Sequence, residues 1–241
     1  MTDHVPTPPG DKELPLSEHL RELRNRVLVV LAVTAFIMFI AYPFTGDLLE
    51  IVWDHIMPDY VKMTVYEPLE LIKVKVLLSF VAALTLGFPM LVYQAFMFMA
   101  PGLYAHEKKF LTAVLPFSII LFIAGALVAY FVTLPLFFGY ILGAGAHVAS
   151  PDMSMGQTFS IVTNFIAGFG IVFQVPLIIL MAIKMGIVKR ETLVSGRVAV
   201  YGILVAFAMI ISPDPTMLSQ LMVGIMLAAL FEFSLLVARF I

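Results

Sequence analysis

The chain has 241 residues, 61% of them hydrophobic and only 12% charged, with a formal net charge of −2 and a mean hydropathy of +1.03. Soluble domains carry about 25% charged residues, so half that share, with uncharged runs longer than a bilayer needs, excludes a soluble domain and predicts an integral membrane protein. There is no cysteine, which excludes disulfides, thiol catalysis and cysteine metal sites.

Residues 1–15 hold Asp3, Asp11, Glu13 and four prolines. They read as a mobile cytoplasmic tail rather than a cleavable signal peptide. The next stretch, LSEHLRELRNRVL, places Leu16, Leu20, Leu23 and Val27 on one helical stripe. Glu18, Arg21, Glu22, Arg24 and Arg26 take the other faces. The pattern predicts an amphipathic helix over 16–26, lying at the membrane surface before the chain enters the bilayer.

Six uncharged runs follow: Val27–Gly46, Val76–Ala105, Phe110–Ala146, Met153–Ile183, Val198–Pro213 and Pro215–Phe231. About 20 helical residues cross a hydrocarbon core of ~30 Å. The third run carries Pro116 and Pro135 and reads as one tilted span plus an outer loop. The last two runs are short, which implies local thinning or a recessed face, or a shallow hairpin shielded by its neighbours. Pro89, Pro116, Pro135 and Pro176 predict kinks, and Gly125, Gly168 and Gly170 predict close helix approach. The expected fold is an all-α integral membrane protein. Six transmembrane helices form one concave, kinked bundle over 16–241.

Charge sets the orientation. Lys12, Arg21, Arg24, Arg26, Lys108, Lys109, Lys184, Lys189, Arg190, Arg197 and Arg239 flank one side of the expected spans. The opposite loops are acidic. The positive-inside rule puts both termini in the cytoplasm. In the first outer loop, Leu48, Leu49, Val52, Trp53 and Ile56 predict a short amphipathic helix, with Asp47 as N-cap and Pro58 ending it. Trp53 would sit at the interface. No internal repeat stands out, which weighs against an inverted-repeat transporter.

Glu22 and Glu107 are the first candidate functional residues. Both are cytoplasmic, and Glu107 falls in the tight loop APGLYAHEKK. Two carboxylates on one face can each receive a guanidinium as a bidentate fork. The plainer reading is a surface ion pair of Glu22 with Arg26 at i+4, and a Glu107 solvated among lysines. Gln174, two residues before Pro176, needs a partner inside span four: a helix–helix hydrogen bond, or a backbone carbonyl freed by the proline. Glu232 is expected to pair with Arg239 or with the basic loop after span four. No metal-ligand spacing, nucleotide loop or protease motif occurs, so neither a cofactor nor an enzymatic activity is predicted.

These motifs resemble the TatC family of the twin-arginine protein translocase. LSEHLRELRNRVL matches the family signature at His19, Leu20, Glu22, Leu23, Arg24 and Arg26. PMLVYQAFMFMAPGLYAHEKK matches at Pro89, Tyr93, Gln94, Phe98, Pro101, Leu103, Tyr104, His106 and Glu107. GALVAYFVTLPLFFGY, FGIVFQVP and LFEFSLLVARF resemble the third, fourth and last spans. The resemblance implies a plasma-membrane receptor for twin-arginine signal peptides. It also implies the core on which small single-span subunits of TatA or TatB type assemble, exporting folded proteins with the proton-motive force. It assigns the signal site to Glu22 and Glu107, with Arg24, Arg26, His106 and Lys108 shaping the patch, and the signal's apolar stretch to the concave bundle. Membrane lipid and further copies of the chain are its other expected partners; nucleic acid is not. Asp214 resembles the family's acid in the last outer loop. The chain departs from the family in having Gln174 where a glutamate is usual. The rival reading is a small secondary transporter with a midplane site near Gln174 and Asn164.

Overall fold

The computed structural model describes residues 16–102, 105–145, 152–211 and 217–239. The tail over 1–15 and Asp214 lie outside the described residues.

The first helix, α1 (Leu16–Ala41), is unbroken. The surface segment expected over 16–26 is simply its first turns: neither Pro nor Gly lies within α1, and charge alone does not stop a helix. At 1.5 Å per residue its 26 residues run about 39 Å, so the charged end projects beyond a ~30 Å core. A single 3₁₀ turn, Tyr42–Phe44, leads into α2 (Thr45–Ile56). Asp47 is not its N-cap; that position is Phe44, and Asp47 sits in the first turn, where a carboxylate suits the helix dipole. The helix ends as expected, because Met57 before Pro58 is extended. Trp53 is buried and stacks with Phe159 at 6.4 Å, so α2 turns its apolar face into the protein.

Strand β1 (Lys62–Thr64) and helix α3 (Glu70–Met99) follow. Past a 3₁₀ turn at Ala100–Gly102, α4 (Ala105–Val128) begins. The tight loop is thus shorter than expected, and Glu107 lies in the first turn of α4. A π-helical turn, Ala129–Thr133, joins α4 to α5 (Leu134–Gly145). It falls just before Pro135, whose missing N–H makes a wider turn tolerable. Strand β2 (Asp152–Ser154) pairs in parallel with β1, an element absent from the sequence expectation.

Span four is divided: α6 (Met155–Val172) and α7 (Val175–Lys184) meet at a break over Phe173–Gln174, with Pro176 in the first turn of α7. Short α8 (Arg190–Ser195), then α9 (Arg197–Ile211) and α10 (Met217–Val237), complete the described chain. Among the described residues, five helices or joined helices are long and apolar enough to cross a membrane, and α9 adds a shorter apolar segment. Fifteen residues give α9 about 22 Å; the 21 of α10 give about 32 Å. Only one member of the final pair is therefore short.

Helix α3 packs along α1, against α6 and against α4, while α10 packs on α7 and α9. The core is rich in aromatic residues: Phe122, Phe137, Phe138, Phe159, Phe165 and Phe169 are almost fully buried. Close approach of α4 to α6 depends on small residues. A Cβ on Gly125 would meet the Phe169 carbonyl at 2.5 Å, and one on Gly170 would meet the Phe122 ring at 2.6 Å. Phe36, Phe39, Phe117, Ile120, Ile178 and Ile203 face outward, as a lipid-facing surface requires.

Candidate functional site

The start of α1, the α3–α4 turn, the segment between α7 and α9, and the end of α10 share one end of the bundle. The stacking of His19 on Phe98 at 4.4 Å fixes the first pair. The Arg197–Glu232 ion pair at 3.2 Å and the hydrogen bond from Arg190 Nε to the Leu235 carbonyl fix the second.

At this end Arg26 joins α1 to α3. Its Nε donates to Glu22 Oε1 at 2.9 Å, Nη2 donates to the same oxygen, and Nη1 donates to Gln94 Oε1 at 3.1 Å. The i+4 pairing of the sequence reading is present, but it is half-buried and anchored from a second helix. Both contacts fall on Oε1; among the described residues no donor reaches Glu22 Oε2. Arg24 is exposed, with a long 3.5 Å contact to Asn25. The Lys108 carbonyl accepts from Thr112 within α4. The α4 backbone places His106 and Glu107 at this same end, while their side chains lie outside the described atoms.

Two hollows flank the Arg26–Gln94 bridge. A polar notch of about 490 Å³ is lined by Glu18, Arg21, Glu22, Asn25, Val29 and the bridge itself. An apolar groove of about 540 Å³ lies against Leu23, Val27, Val30, Leu31 and Phe98. Along Leu91, Ala95 and Met99 of α3, this groove shares a wall with a third hollow of about 440 Å³ between α3, α4 and the α6–α7 break. The two apolar hollows, ranged along this stripe of α3, are together termed the trough, and the first of them also takes in Arg26 and Gln94 of the bridge.

Gln174 lines the third hollow, at the α6–α7 break. Its Oε1 accepts from Ser118 Oγ at 2.6 Å; its Nε2 donates to the Ser118 carbonyl at 3.1 Å and the Gly170 carbonyl at 3.4 Å. The backbone N–H of Gln174 turns to Ile171, so its side chain serves the Gly170 carbonyl left at the break. This is the helix–helix reading, with the polar ends of the amide engaged. Asn164 is exposed on α6 and does not line the same hollow, so the two residues of the transporter reading do not converge. Glu232 accepts from Tyr201 Oη at 2.5 Å and pairs with Arg197, a member of the basic segment expected to meet it.

The opposite end holds a carboxylate that sequence reading passed over. Glu70, at the start of α3, is only 4% exposed. Its Oε2 accepts from the backbone N–H groups of Tyr66 at 2.6 Å and Glu67 at 3.1 Å. Its Oε1 accepts from Ser154 Oγ at 2.7 Å and the Gly156 N–H at 2.5 Å. Four donors on two oxygens suit an ionised, acceptor-only carboxylate, here set at the N-terminus of α6. Gly156 makes room for it: a Cβ there would lie 2.8 Å from Oε1. Glu70 thus ties the loop before α3 to the segment that opens α6, beside the β1–β2 pair. Lys73 reaches back to Glu67 at 2.5 Å, the outward reach its place at the helix start predicts. The local signal for Glu70 was an acid at a helix start after Pro68. Its partners at Ser154 and Gly156 are too distant in sequence to be read.

Apolar helices of membrane-crossing length, a lipid-facing exterior and ion pairs placed at the two ends define a multi-pass membrane protein. The chain belongs to the TatC family, described as Sec-independent protein translocase protein (TatC), whose model matches residues 18–225. It is 60% identical over 234 residues to the Sec-independent protein translocase protein TatC of Methanocella arvoryzae, covering 97% of each chain. It is 34% identical to that of Aquifex aeolicus, covering 94% of this chain and 95% of the other. Among solved structures it is similar to a crystal structure titled twin arginine translocase receptor TatC. The TM-score is 0.81 at 31% identity, over 92% of this chain and 98% of that one.

Proposed function

We propose that this chain is the receptor for twin-arginine signal peptides and the core subunit of a twin-arginine translocase in a prokaryotic plasma membrane. Residues 16–241 form its transmembrane domain, with both termini cytoplasmic. The observation that carries this reading is the Glu22 carboxylate, held by Arg26 through one oxygen at the mouth of a polar notch. A guanidinium delivered to Oε2 would form the charge-assisted contact that a fork favours. Glu107, in the first turn of α4, is the second proposed acceptor, with Arg24, Arg26, His106 and Lys108 as the residues the family resemblance assigns to the same patch. The apolar trough beyond the bridge suits the apolar stretch that follows the arginines in the signal.

Solved relatives bearing the receptor title, and the basic residues gathered at the notch end, support the orientation and the role. Small single-span subunits of TatA or TatB type, further copies of the chain and lipid are its other partners. Cargo crosses folded, driven by the proton-motive force. Gln174 keeps the hydrogen bonding of the family's usual glutamate but carries no titratable proton, so a mechanism that needs an ionisable group at this position does not carry over to this chain.

Detergent-solubilised protein should bind a signal peptide bearing Arg-Arg. It should bind the Lys-Lys version at least tenfold more weakly, since lysine is a point charge without the fork. Equal affinity for the two peptides would contradict this reading.

A further inference from the structure

Arg26 contributes all three guanidinium nitrogens to the bridge, two to Glu22 and one to Gln94. Arg26 and Glu22 lie on the same helix four residues apart, an arrangement that is weak and mobile when left in solvent. What distinguishes this pair is the third contact, from a different helix and 68 residues away. Guanidinium has no acceptor, so Gln94 must present its amide oxygen to Nη1, which fixes the orientation of the amide. A neutral acceptor holds Arg26 without adding a second negative charge that would draw the guanidinium from Glu22.

We propose that Gln94 is a positioning residue for signal recognition. By holding Arg26 from α3, it keeps the guanidinium on Oε1 of Glu22 and so presents Oε2 to the incoming arginine. This inference rests on the receptor reading above and adds to it the group that sets the Glu22 geometry. Gln94 also lies where the polar notch meets the apolar trough, lining both. The same contact therefore sets the distance between the place of the arginines and that of the apolar stretch. Arg26 is an aligner and not a competitor, because it lies side-on to one oxygen instead of forking across both.

The test is a double-mutant cycle read by peptide affinity. Gln94→Met keeps the side-chain length and removes the acceptor; Arg26→Lys keeps the charge and removes the second reach. Each should lower affinity for the Arg-Arg peptide five- to tenfold and shrink its advantage over the Lys-Lys peptide. The double variant should bind no more than twofold weaker than Arg26→Lys alone, because Gln94 acts through Arg26. Gln94→Asn, which keeps an acceptor on a shorter stem, should recover part of the loss. A defect that packing alone produced would lower binding of both peptides in proportion. Additive losses, proportional losses, unchanged affinity or tighter binding in either single variant would each overturn the proposal. Failure of the unmodified protein to prefer Arg-Arg would instead overturn the receptor reading on which it rests.

Discussion

Two carboxylates, one at each end of the bundle, show how the same group serves different ends. Glu70 is buried, and both oxygens are saturated by four donors from two loops separated by more than 80 residues. Glu22 is half-buried, and its described contacts fall on one oxygen. A saturated carboxylate has nothing left to offer a ligand, and its loss orphans the donors around it. A half-used carboxylate, aligned by a cation and open on one side, contributes little to the fold and can accept a partner. The difference lies in what surrounds each group.

Substitutions should separate the two ends. Glu70→Ala leaves three backbone N–H groups and a hydroxyl without their acceptor. With orphaned buried donors costing ~1–3 kcal/mol each and water reaching some of them, a destabilisation of about 3–5 kcal/mol is expected. It should appear as a lower melting temperature in detergent and as earlier protease cleavage between α2 and α3. Glu22→Ala should do the reverse. Affinity for an Arg-Arg signal peptide falls ten- to a hundredfold, on the order of 1.5–3 kcal/mol for hydrogen bonds to a charged group. The melting temperature should fall much less than for Glu70→Ala, because the pair is only half-buried and Arg26 keeps its contact to Gln94. Gly156→Ala tests the outer carboxylate from its other side. The added methyl meets Glu70 Oε1 at 2.8 Å, and overpacking of this kind costs roughly 1–3 kcal/mol with peptide binding unchanged. Smallest of all, Gln174→Leu removes an interhelical hydrogen-bond set between Ser118 and the α6–α7 break. Such bonds within membranes average ~0.6 kcal/mol, so melting should shift slightly and transport in vesicles should persist.

Those two ends were unequally legible. The Glu22–Arg26 pair follows from i+4 spacing, and the ligand proposed for it comes from the family resemblance. Gln94 appeared only as a motif match, since nothing local says that it faces Arg26 across 68 residues. Glu70 and the β1–β2 pair were invisible for the same reason: their contacts join separate outer loops, and a three-residue strand has no periodicity to read. The spans themselves came from apolar run length, yet run length misjudged their ends. Counting stopped the last span at Glu232, but Arg197 and Tyr201 satisfy that carboxylate and α10 runs on to Val237. It likewise set the first turns of α1 apart from the span they begin. Proline was an uneven guide: Pro58 ends α2, Pro135 follows the π-helical turn and Pro176 marks the division of span four, while Pro89 and Pro116 lie inside the uninterrupted α3 and α4.

The central claim is that the notch beside Glu22 receives the signal's arginines while the trough beyond Gln94 receives its apolar stretch. Photo-crosslinkers placed singly at Asn25, in the notch, and at Ala95, in the trough, test it directly in membranes with a bound signal peptide. The expected result is crosslinking from position 25 to residues flanking the arginines and from position 95 to the apolar stretch, both lost with a Lys-Lys peptide. Crosslinks reversed between the two positions, or retained in full by the Lys-Lys peptide, would contradict the account.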